Sequence, residues 1–212
     1  MLHDPVDAAR SDAEWEAFLQ AHAFGQLVVA VPGEAPFAVP AAYVYRPERR
    51  AVELHLDARN PVWEALAGAE RVLFSVVTDA AFVPSAWNAR PGADTAWAAP
   101  TVYFAAVQVV GPAEVVDAPA ELAALLERLL ARVQPEGALA RVEAGASPFG
   151  RMLGGIRGLR VAADEVRTRF KVGGDKSAAH RRAIAAQLEA RGTDLDRELR
   201  AHLLRRLEAE GA

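Results

Sequence analysis

The sequence predicts an α+β fold that is mainly β: an antiparallel barrel of six or seven strands, with flanking helices and a helical C-terminal extension. Three observations predict it. Short β-rich runs succeed one another along most of the chain and are separated by turn residues. Short connections favour antiparallel strands, because parallel strands need long crossovers. No glycine-rich nucleotide-binding loop follows the first β-rich run, which argues against a doubly wound sheet.

The chain begins with a predicted helix over 11–22. Ser11 and Glu14 have the spacing of a capping box, and apolar side chains then recur at helical intervals. The loop 46–50 has the composition of a hairpin connection between two strands. Three strands are predicted after this helix, over 24–31, 37–45 and 51–56, because these runs are rich in β-branched and aromatic residues.

The middle of the chain contains a helix, several strands and a long loop. Asn60 is a favourable N-cap and Pro61 a favourable first helical residue, so the helix begins there. The segment 85–99 is a long loop, and loops of this length in compact domains more often have a function than not. Strands are predicted over 71–78, 80–84 and 101–116, the last of them bent at Gly111-Pro112.

The rest of the chain combines helices with one more β segment. This segment, over 156–172, is a strand pair or one long bent strand. The helix over 117–133 is amphipathic, and the last helix of the chain has a clear apolar stripe. The predicted helices lie at 117–133, from Pro148 to Gly154-Gly155, at about 177–190 and at 194–209.

The length of 212 residues suits one large domain with an appendage. We therefore expect a barrel domain over 1–172, which includes the inserted helices at about 117–154, and a helical extension over 173–212. The 24 basic and 28 acidic side chains give a net charge of −4, which offers no general attraction for nucleic acid or an anionic membrane. The absence of cysteine excludes disulfides and thiolate nucleophiles. With no secretory signal and no apolar span in the sequence, we expect a cytoplasmic protein.

The first candidate site is the segment from His55 to Pro61. A predicted strand runs directly into a helix start, so backbone N–H groups and the positive end of the helix dipole meet there beside Arg59. This combination suits a phosphate group. The alternative is that Asn60 only caps the helix and that Arg59 is solvated.

The second candidate is the β run 166–172. Because side chains alternate along a strand, Arg167, Arg169 and Lys171 share one face and form a candidate anion site. The alternative is the solvated face of an edge strand, where such cations also deter edge pairing.

The third candidate is the loop with Trp87 and Trp97, followed by Thr101. Its aromatic side chains suit stacking on a planar ring or a dimer interface, and the alternative is core packing at strand ends. The five histidines have no metal-ligand spacing, and no nucleophile elbow or zinc-protease motif occurs. The sequence thus names no catalytic acid, base or metal site.

These segments resemble the FMN-binding negative transcriptional regulators of the PaiB type, from Met1 to about Arg191. The resemblance depends on the common order of short motifs: Phe18-Leu19-x-x-His22-x-Phe24-Gly25, His55-Leu56-x-Ala58-Arg59-Asn60-Pro61-x-Trp63, Phe82-Val83-x-Ser85-x-Trp87, Pro100-Thr101, Ile156-x-Gly158-Leu159, Phe170-Lys171 and Lys176-Ser177. Three segments depart from the family pattern. Ala38 or Val39 replaces a His before Pro40, Val102-Tyr103 replaces the Trp-Asn of P-T-W-N-Y, and Gly173-Gly174-Asp175 replaces S-Q-N.

The resemblance implies a split β-barrel, like that of pyridoxamine-phosphate oxidases, which forms a homodimer and binds FMN between its subunits. It implies that basic and hydroxyl side chains and a helix start hold the phosphate, while the isoalloxazine lies against strand backbone. The cofactor-binding residues that it suggests are His55, Arg59, Asn60, Thr101, Lys171, Trp87 and Pro40.

The resulting function is an FMN-binding flavoprotein, either an FMN-dependent oxidoreductase or a flavin-responsive regulator. One alternative is a PaiB-type regulator that acts through protein or DNA contacts, although no helix-turn-helix signature occurs and acidic residues interleave with the arginines of the tail. A further alternative is a haem protein of the same fold, with His22 or His55 as the axial ligand.

Overall fold

The computed structural model describes residues 4–90, 92–145 and 148–211. The chain forms two compact units. We call Ser11–Val76 with Val107–Arg167 the sheet unit. We call the residues up to Arg10, Val77–Ala106 and the residues from Thr168 onward the tail unit.

Eight strands form one sheet in the order β6-β7-β3-β2-β1-β4-β5-β8, and the pairings that join β1 to β2 and β4, β3 to β2 and β7, and β6 to β7 are antiparallel. This topology agrees with a mainly β, antiparallel fold of the split-barrel kind. The strands are β1 (Phe24–Val29), β2 (Phe37–Arg46), β3 (Ala51–Asp57), β4 (Val72–Val83), β5 (Thr101–Gly111), β6 (Ala113–Val116), β7 (Ile156–Ala162) and β8 (Glu165–Lys171).

Seven α-helices flank the strands in the described part of the chain. Short 3₁₀ turns, such as Thr95–Trp97 and Leu153–Gly155, complete the connections. The α-helices are α1 (Asp12–Ala21), α2 (Val62–Ala67), α3 (Ser85–Asn88), α4 (Pro119–Val133), α5 (Pro148–Met152), α6 (Ala178–Arg191) and α7 (Asp194–Gly211). Among the described residues, no helix is both long and apolar enough to cross a membrane.

The strand count is eight, where the sequence predicted six or seven. The stretch predicted as two strands, 71–78 and 80–84, is the single strand β4, which continues through Asp79 although that residue has a φ of +49°. The predicted strand 101–116 divides into β5 and β6 at Pro112, because proline has no N–H for the ladder. The capping box at the start of α1 is also not formed, since the Ser11 side chain makes no cap hydrogen bond.

In the sheet unit, α4 covers one face of the strands. The side chains of β3 alternate, so Leu54 and Leu56 lie on one face, while Glu53 and His55 lie on the other. Glu53 is fully buried and accepts hydrogen bonds from Arg128 of α4 at 2.7 and 3.0 Å. This carboxylate therefore ties α4 to the face of β3 that also carries His55.

In the tail unit, α6 and α7 pack on the strand ends. Their apolar side chains share one core with Val83 and Tyr103, which explains why the predicted helical extension is ordered. An ion pair between Arg181 of α6, which is buried, and Glu210 of α7 joins the two helices. The predicted helices at about 177–190 and 194–209 are confirmed within two residues at each end.

Gly173, which follows β8, packs directly on Tyr103. A Cβ at this glycine would lie 2.6 Å from the Tyr103 hydroxyl, and the φ of Gly173 is +78°. The hydroxyl itself is buried without a hydrogen-bond partner. Tyr103 and Gly173 lie in two of the segments that depart from the resemblance described above, and the structure places them in contact.

We expect Gly173→Ala to lower the free energy of unfolding by about 2–4 kcal/mol, because the new methyl group meets the phenol and the left-handed backbone disfavours alanine. Tyr103→Phe alone should leave stability unchanged or raise it, since it removes an unsatisfied buried hydroxyl. In the Tyr103→Phe background, Gly173→Ala should cost less than in the wild type. A urea-denaturation double-mutant cycle measures this coupling, and equal costs in both backgrounds would contradict it.

Candidate functional site

The residues that the sequence singled out for a ligand divide between the two units. The sheet unit contains Pro40, His55, Arg59 and Asn60, and the tail unit contains Trp87, Thr101 and Lys171. Within each unit, some of these residues contact one another, and others bind side chains or backbone groups that the sequence did not single out.

Arg59 is bound by its own turn. Its guanidinium donates to both carboxylate oxygens of Asp57, with Nε to Oδ1 at 3.0 Å and Nη2 to Oδ2 at 2.8 Å. The hydrogen bonds from Arg59 lower the pKa of Asp57 to about 2, so this carboxylate is ionised at neutral pH. The Arg59 side chain is 90% exposed. An anion can therefore reach Arg59, but it must compete with Asp57.

The helix start beside Arg59 has few free backbone donors. The Arg59 N–H donates to Asp57 Oδ1, and the Val62 N–H donates to Asn60 Oδ1 at 3.0 Å. The Ala58 N–H donates to the Gly155 carbonyl at 2.9 Å. Asn60 thus acts as a cap, and α2 has only six residues. The alternative that the sequence left open, a helix cap beside an arginine, describes this turn better than a phosphate cradle formed by helix N–H groups.

Thr101 and Lys171 lie together in the tail unit. Lys171 Nζ donates a hydrogen bond to Thr101 Oγ1 at 2.7 Å, although the two residues are 70 positions apart. Both side chains are half-buried. Within the described chain, Lys171 makes no direct ion pair, although it is close enough to Asp7 for its charge to oppose the rise in the pKa of that carboxyl. A cation beside a hydroxyl in partial burial is a suitable donor set for an anion.

The other cations of the predicted β8 face are paired. Arg167 Nε donates to Glu165 Oε1 at 2.6 Å, and Arg169 lies 3.5 Å from Asp7 in the tail unit. Burial raises the pKa of Asp7 even though Arg169 opposes that shift. Of the three cations predicted to share this face, Lys171 alone makes no direct ion pair within the described part of the chain.

The remaining predicted residues are engaged differently. The indole ring of Trp87 is covered by the Arg191 guanidinium at 4.7 Å, and its backbone carbonyl is 2.8 Å from His180 Nε2. Trp97, in contrast, is 89% exposed. Pro40 is exposed on β2, opposite Gln26 in the register. Neither tryptophan contacts the Thr101–Lys171 pair in a hydrogen bond or ring contact.

His55 and His22, the two candidate haem ligands, have different surroundings. His22 Nδ1 lies 2.8 Å from the Phe18 carbonyl. His55 Nδ1 is buried without a hydrogen-bond partner, and burial lowers the pKa of this imidazole. In the described part of the chain, no group of three or more His, Asp or Glu side chains is placed to hold a metal ion.

Sequence reasoning missed a charged cluster inside the sheet unit. Besides Arg128, the buried Glu53 receives a hydrogen bond from Arg160 at 3.0 Å, and Arg160 also binds Glu114 and Glu121. Glu53 and Arg160 face each other in the register of β3 and β7. The only signal in the sequence is Glu53 itself, an acidic residue between two apolar residues. The partners of Glu53 cannot be read from the sequence, because they depend on strand pairing.

Comparison with protein families identifies the chain. A model of the family described as "Putative FMN-binding domain" matches residues 1–165, which is most of the sequence. The chain belongs to this family. Membership of this FMN-binding domain family supports FMN or a related flavin as the cofactor. The narrower PaiB resemblance stays a prediction.

Solved structures share the fold of this FMN-binding domain. An FAD- and haem-binding protein from Mycobacterium smegmatis has a TM-score of 0.61 at 17% identity, over 85% of this chain and 80% of that one. A flavocytochrome from Azotobacter vinelandii has a TM-score of 0.60 at 17% identity, over 78% and 70%. A conserved hypothetical protein from Mycobacterium tuberculosis has a TM-score of 0.57 at 18% identity, over 80% and 91%. No curated protein matches the sequence.

Each unit of this FMN-binding domain has donors that suit an anionic group such as a flavin phosphate. In the tail unit, Lys171 offers an ammonium group without a direct ion pair in the described chain, and Thr101 offers a hydroxyl beside it. In the sheet unit, Arg59 offers an exposed guanidinium that is bound to Asp57. Asp175, an acid in the segment that departs from the family pattern, pairs with Lys176 at 3.2 Å. The chemistry of these side chains therefore suits an anionic cofactor.

Proposed function

We propose that the protein is an FMN-binding flavoprotein in which Lys171 and Thr101 hold the phosphate of the cofactor. The observation that carries this proposal is the 2.7 Å hydrogen bond from Lys171 Nζ to Thr101 Oγ1. Both residues lie at positions that resemble the cofactor-binding motifs of the family. Their convergence supports a role that neither sequence position could establish alone.

The physical basis is a charge-assisted site. The ammonium group of Lys171 has two further N–H donors after it binds Thr101, and the threonine hydroxyl can turn its own proton toward an anion. Partial burial strengthens these interactions, because the surrounding dielectric constant is lower than that of water. Arg59, in the sheet unit, is a separate candidate for an anion contact, on condition that it leaves Asp57. Flavin, when bound, supplies electron or hydride transfer, and these side chains fix its position.

We propose further that the protein is a homodimer. The tail unit exposes apolar side chains that a monomer would have to leave in water, namely Val77 at 63%, Phe82 at 51%, Trp97 at 89% and Val102 at 47%. Large aromatic and aliphatic side chains of this kind are enriched in the cores of protein interfaces. A subunit interface that includes them would also bring the segments around Thr101 close to a second copy.

Redox chemistry is the function that we favour over DNA binding. The arginines of α6 and α7 are largely neutralised by ion pairs, which include Arg181 with Glu210, Arg191 with Asp196, and Arg200 with Glu189. A DNA-binding helix instead displays cations that phosphates can reach. This pairing weighs against DNA binding. With a flavin as the cofactor, we therefore favour a flavin-dependent oxidoreductase, and a flavin-responsive regulator that contacts other proteins is the second possibility.

We expect FMN to bind saturably and to raise the melting temperature, with riboflavin binding at least about tenfold more weakly because it lacks the phosphate. Quenching of flavin fluorescence measures the affinities, and sedimentation of the same samples measures the oligomeric state. A colourless protein that gains no thermal stability from excess FMN would exclude the proposal. Equal affinity for FMN and riboflavin would exclude the assigned phosphate site.

A further inference from the structure

The sheet unit contains a cavity that none of the proposed phosphate ligands lines. Its volume is about 550 Å³, within the range of small-molecule sites. The inserted helical segment supplies most of its wall, and β3 supplies one side chain. The lining residues are His55, Leu126, Leu130, Phe149, Arg151, Met152, Gly155 and Ile156.

The character of this wall is apolar with one positive charge. Five of the eight lining residues have large apolar side chains, and none is acidic. Arg151 is the single cation among them; it lies at the solvent-exposed side of the cavity, and no hydrogen bond or ion pair engages it in the described part of the chain. An apolar wall with one unpaired cation is complementary to an apolar molecule that carries one negative group.

A neighbouring cavity of about 480 Å³ offers a contrast. Its arginine, Arg157, is bound by both carboxylate oxygens of Asp117, at 2.6 and 2.9 Å, and lies over the Trp63 ring at 4.8 Å. That guanidinium is committed to structural contacts. The charge of Arg151 is the one that remains available to a ligand.

His55 supplies a neutral donor to the same cavity. Because burial lowers the pKa of this imidazole, the ring is uncharged at neutral pH. Its buried Nδ1 has no partner, and a buried lone pair costs less than a buried N–H without an acceptor. The proton therefore belongs on Nε2. Glu53 lies two residues earlier on the same face and binds Arg128 of α4, which fixes this face of β3 against the helix.

We propose that this cavity binds a medium-chain aliphatic carboxylate. The hydrocarbon chain would contact Leu126, Leu130 and Phe149, while the carboxylate would pair with Arg151 and accept a hydrogen bond from His55. The site is independent of the flavin phosphate site, and it assigns His55 to this ligand instead of to the cofactor. The proposal also assigns a function to the inserted helices, which form most of the cavity wall.

Decanoate and 1-decanol, which differ in the charged group, are the probes. Isothermal titration of the full-length protein, with and without FMN, should give one decanoate site with the same affinity in both states. Decanol should bind about tenfold more weakly. Arg151→Gln should reduce the decanoate affinity about five- to tenfold, close to that of decanol. His55→Leu should reduce it about threefold. Arg49→Gln, an exposed arginine of the same unit outside the cavity, is the control and should change nothing.

Three results would overturn the proposal. Equal affinities for decanoate and decanol would show that the cavity binds only the hydrocarbon chain and does not recognise the carboxylate. Displacement of FMN by decanoate would place the cavity inside the flavin site. A Soret band on titration with hemin that His55→Leu abolishes would assign the cavity to haem. Since FMN binding is measured separately, failure here leaves the flavin proposal standing, and loss of FMN binding leaves this one standing.

Discussion

Replacing Lys171 by Gln is expected to weaken FMN binding by about 10- to 100-fold, because the variant loses the one cation of the β8 face that makes no direct ion pair among the described residues. The affinity for riboflavin should hardly change, since riboflavin has no phosphate. Fluorescence titration of both flavins against both proteins measures this difference. The result separates loss of a phosphate contact from general damage to the site.

The matched control is Arg167→Gln on the same strand. Arg167 already pairs with Glu165, so its removal should leave the FMN affinity within about twofold. Thr101→Val should weaken FMN by about three- to tenfold, and Thr101→Ser should retain binding because it keeps the hydroxyl. If Lys171→Gln and Arg167→Gln weaken FMN equally, the phosphate is held by the general charge of the strand or elsewhere, and the assigned pair is wrong.

Glu53→Gln should produce the largest loss of stability, about 3–5 kcal/mol, because it removes the carboxylate charge that pairs with buried arginine side chains. Arg160 is itself 8% exposed and would keep its charge beside a neutral amide. Urea denaturation at neutral pH measures the change. Glu165→Gln is the control, since Glu165 pairs with Arg167 on the surface and should contribute less than about 1 kcal/mol. A Glu53→Gln variant as stable as the Glu165→Gln variant would contradict this account.

The carboxylate of Glu53 also makes the free energy of unfolding depend on pH. Burial pushes the pKa of Glu53 upward, but hydrogen bonds from Arg128 and Arg160 outweigh burial and hold the pKa below its ordinary value. The folded state therefore binds fewer protons than the unfolded state, and the contribution is present above the unfolded pKa of about 4.3. It is lost as the pH falls through the lower folded pKa. The stability difference between wild type and Glu53→Gln should thus shrink in acid.

Local sequence signals located most elements because they depend on neighbouring residues. Turn residues such as Pro32-Gly33 and the cap at Asn60 mark element ends, and alternation of apolar side chains marks strands. The misjudged points were those where the wider fold overrides local preference. β4 continues through Asp79, which has a left-handed conformation and whose carboxylate lies 2.8 Å from His202 Nδ1 of α7, and a single sequence gives no sign of this contact.

Candidate site residues were predicted less well than elements, for a related reason. The sequence could nominate Arg59 and Lys171 as cations near motifs, but it could not say which one is neutralised. Arg59 is bound by Asp57 two residues earlier, whereas Lys171 meets Thr101 from a distant strand. The departures at Tyr103 and Gly173 also look independent in the sequence, and only the structure places them in contact.

The sequence by itself determined that this protein is a mainly β chain with inserted and C-terminal helices and a member of an FMN-binding domain family. Periodicity, turn chemistry and motif order are properties of the linear sequence, so they can be recognised without the tertiary structure. The tertiary structure decided which charges are paired, where the Lys171–Thr101 donor pair forms, and that His55 and Arg151 line one cavity. These facts depend on strand register and helix docking, which bring together residues that are distant in the chain.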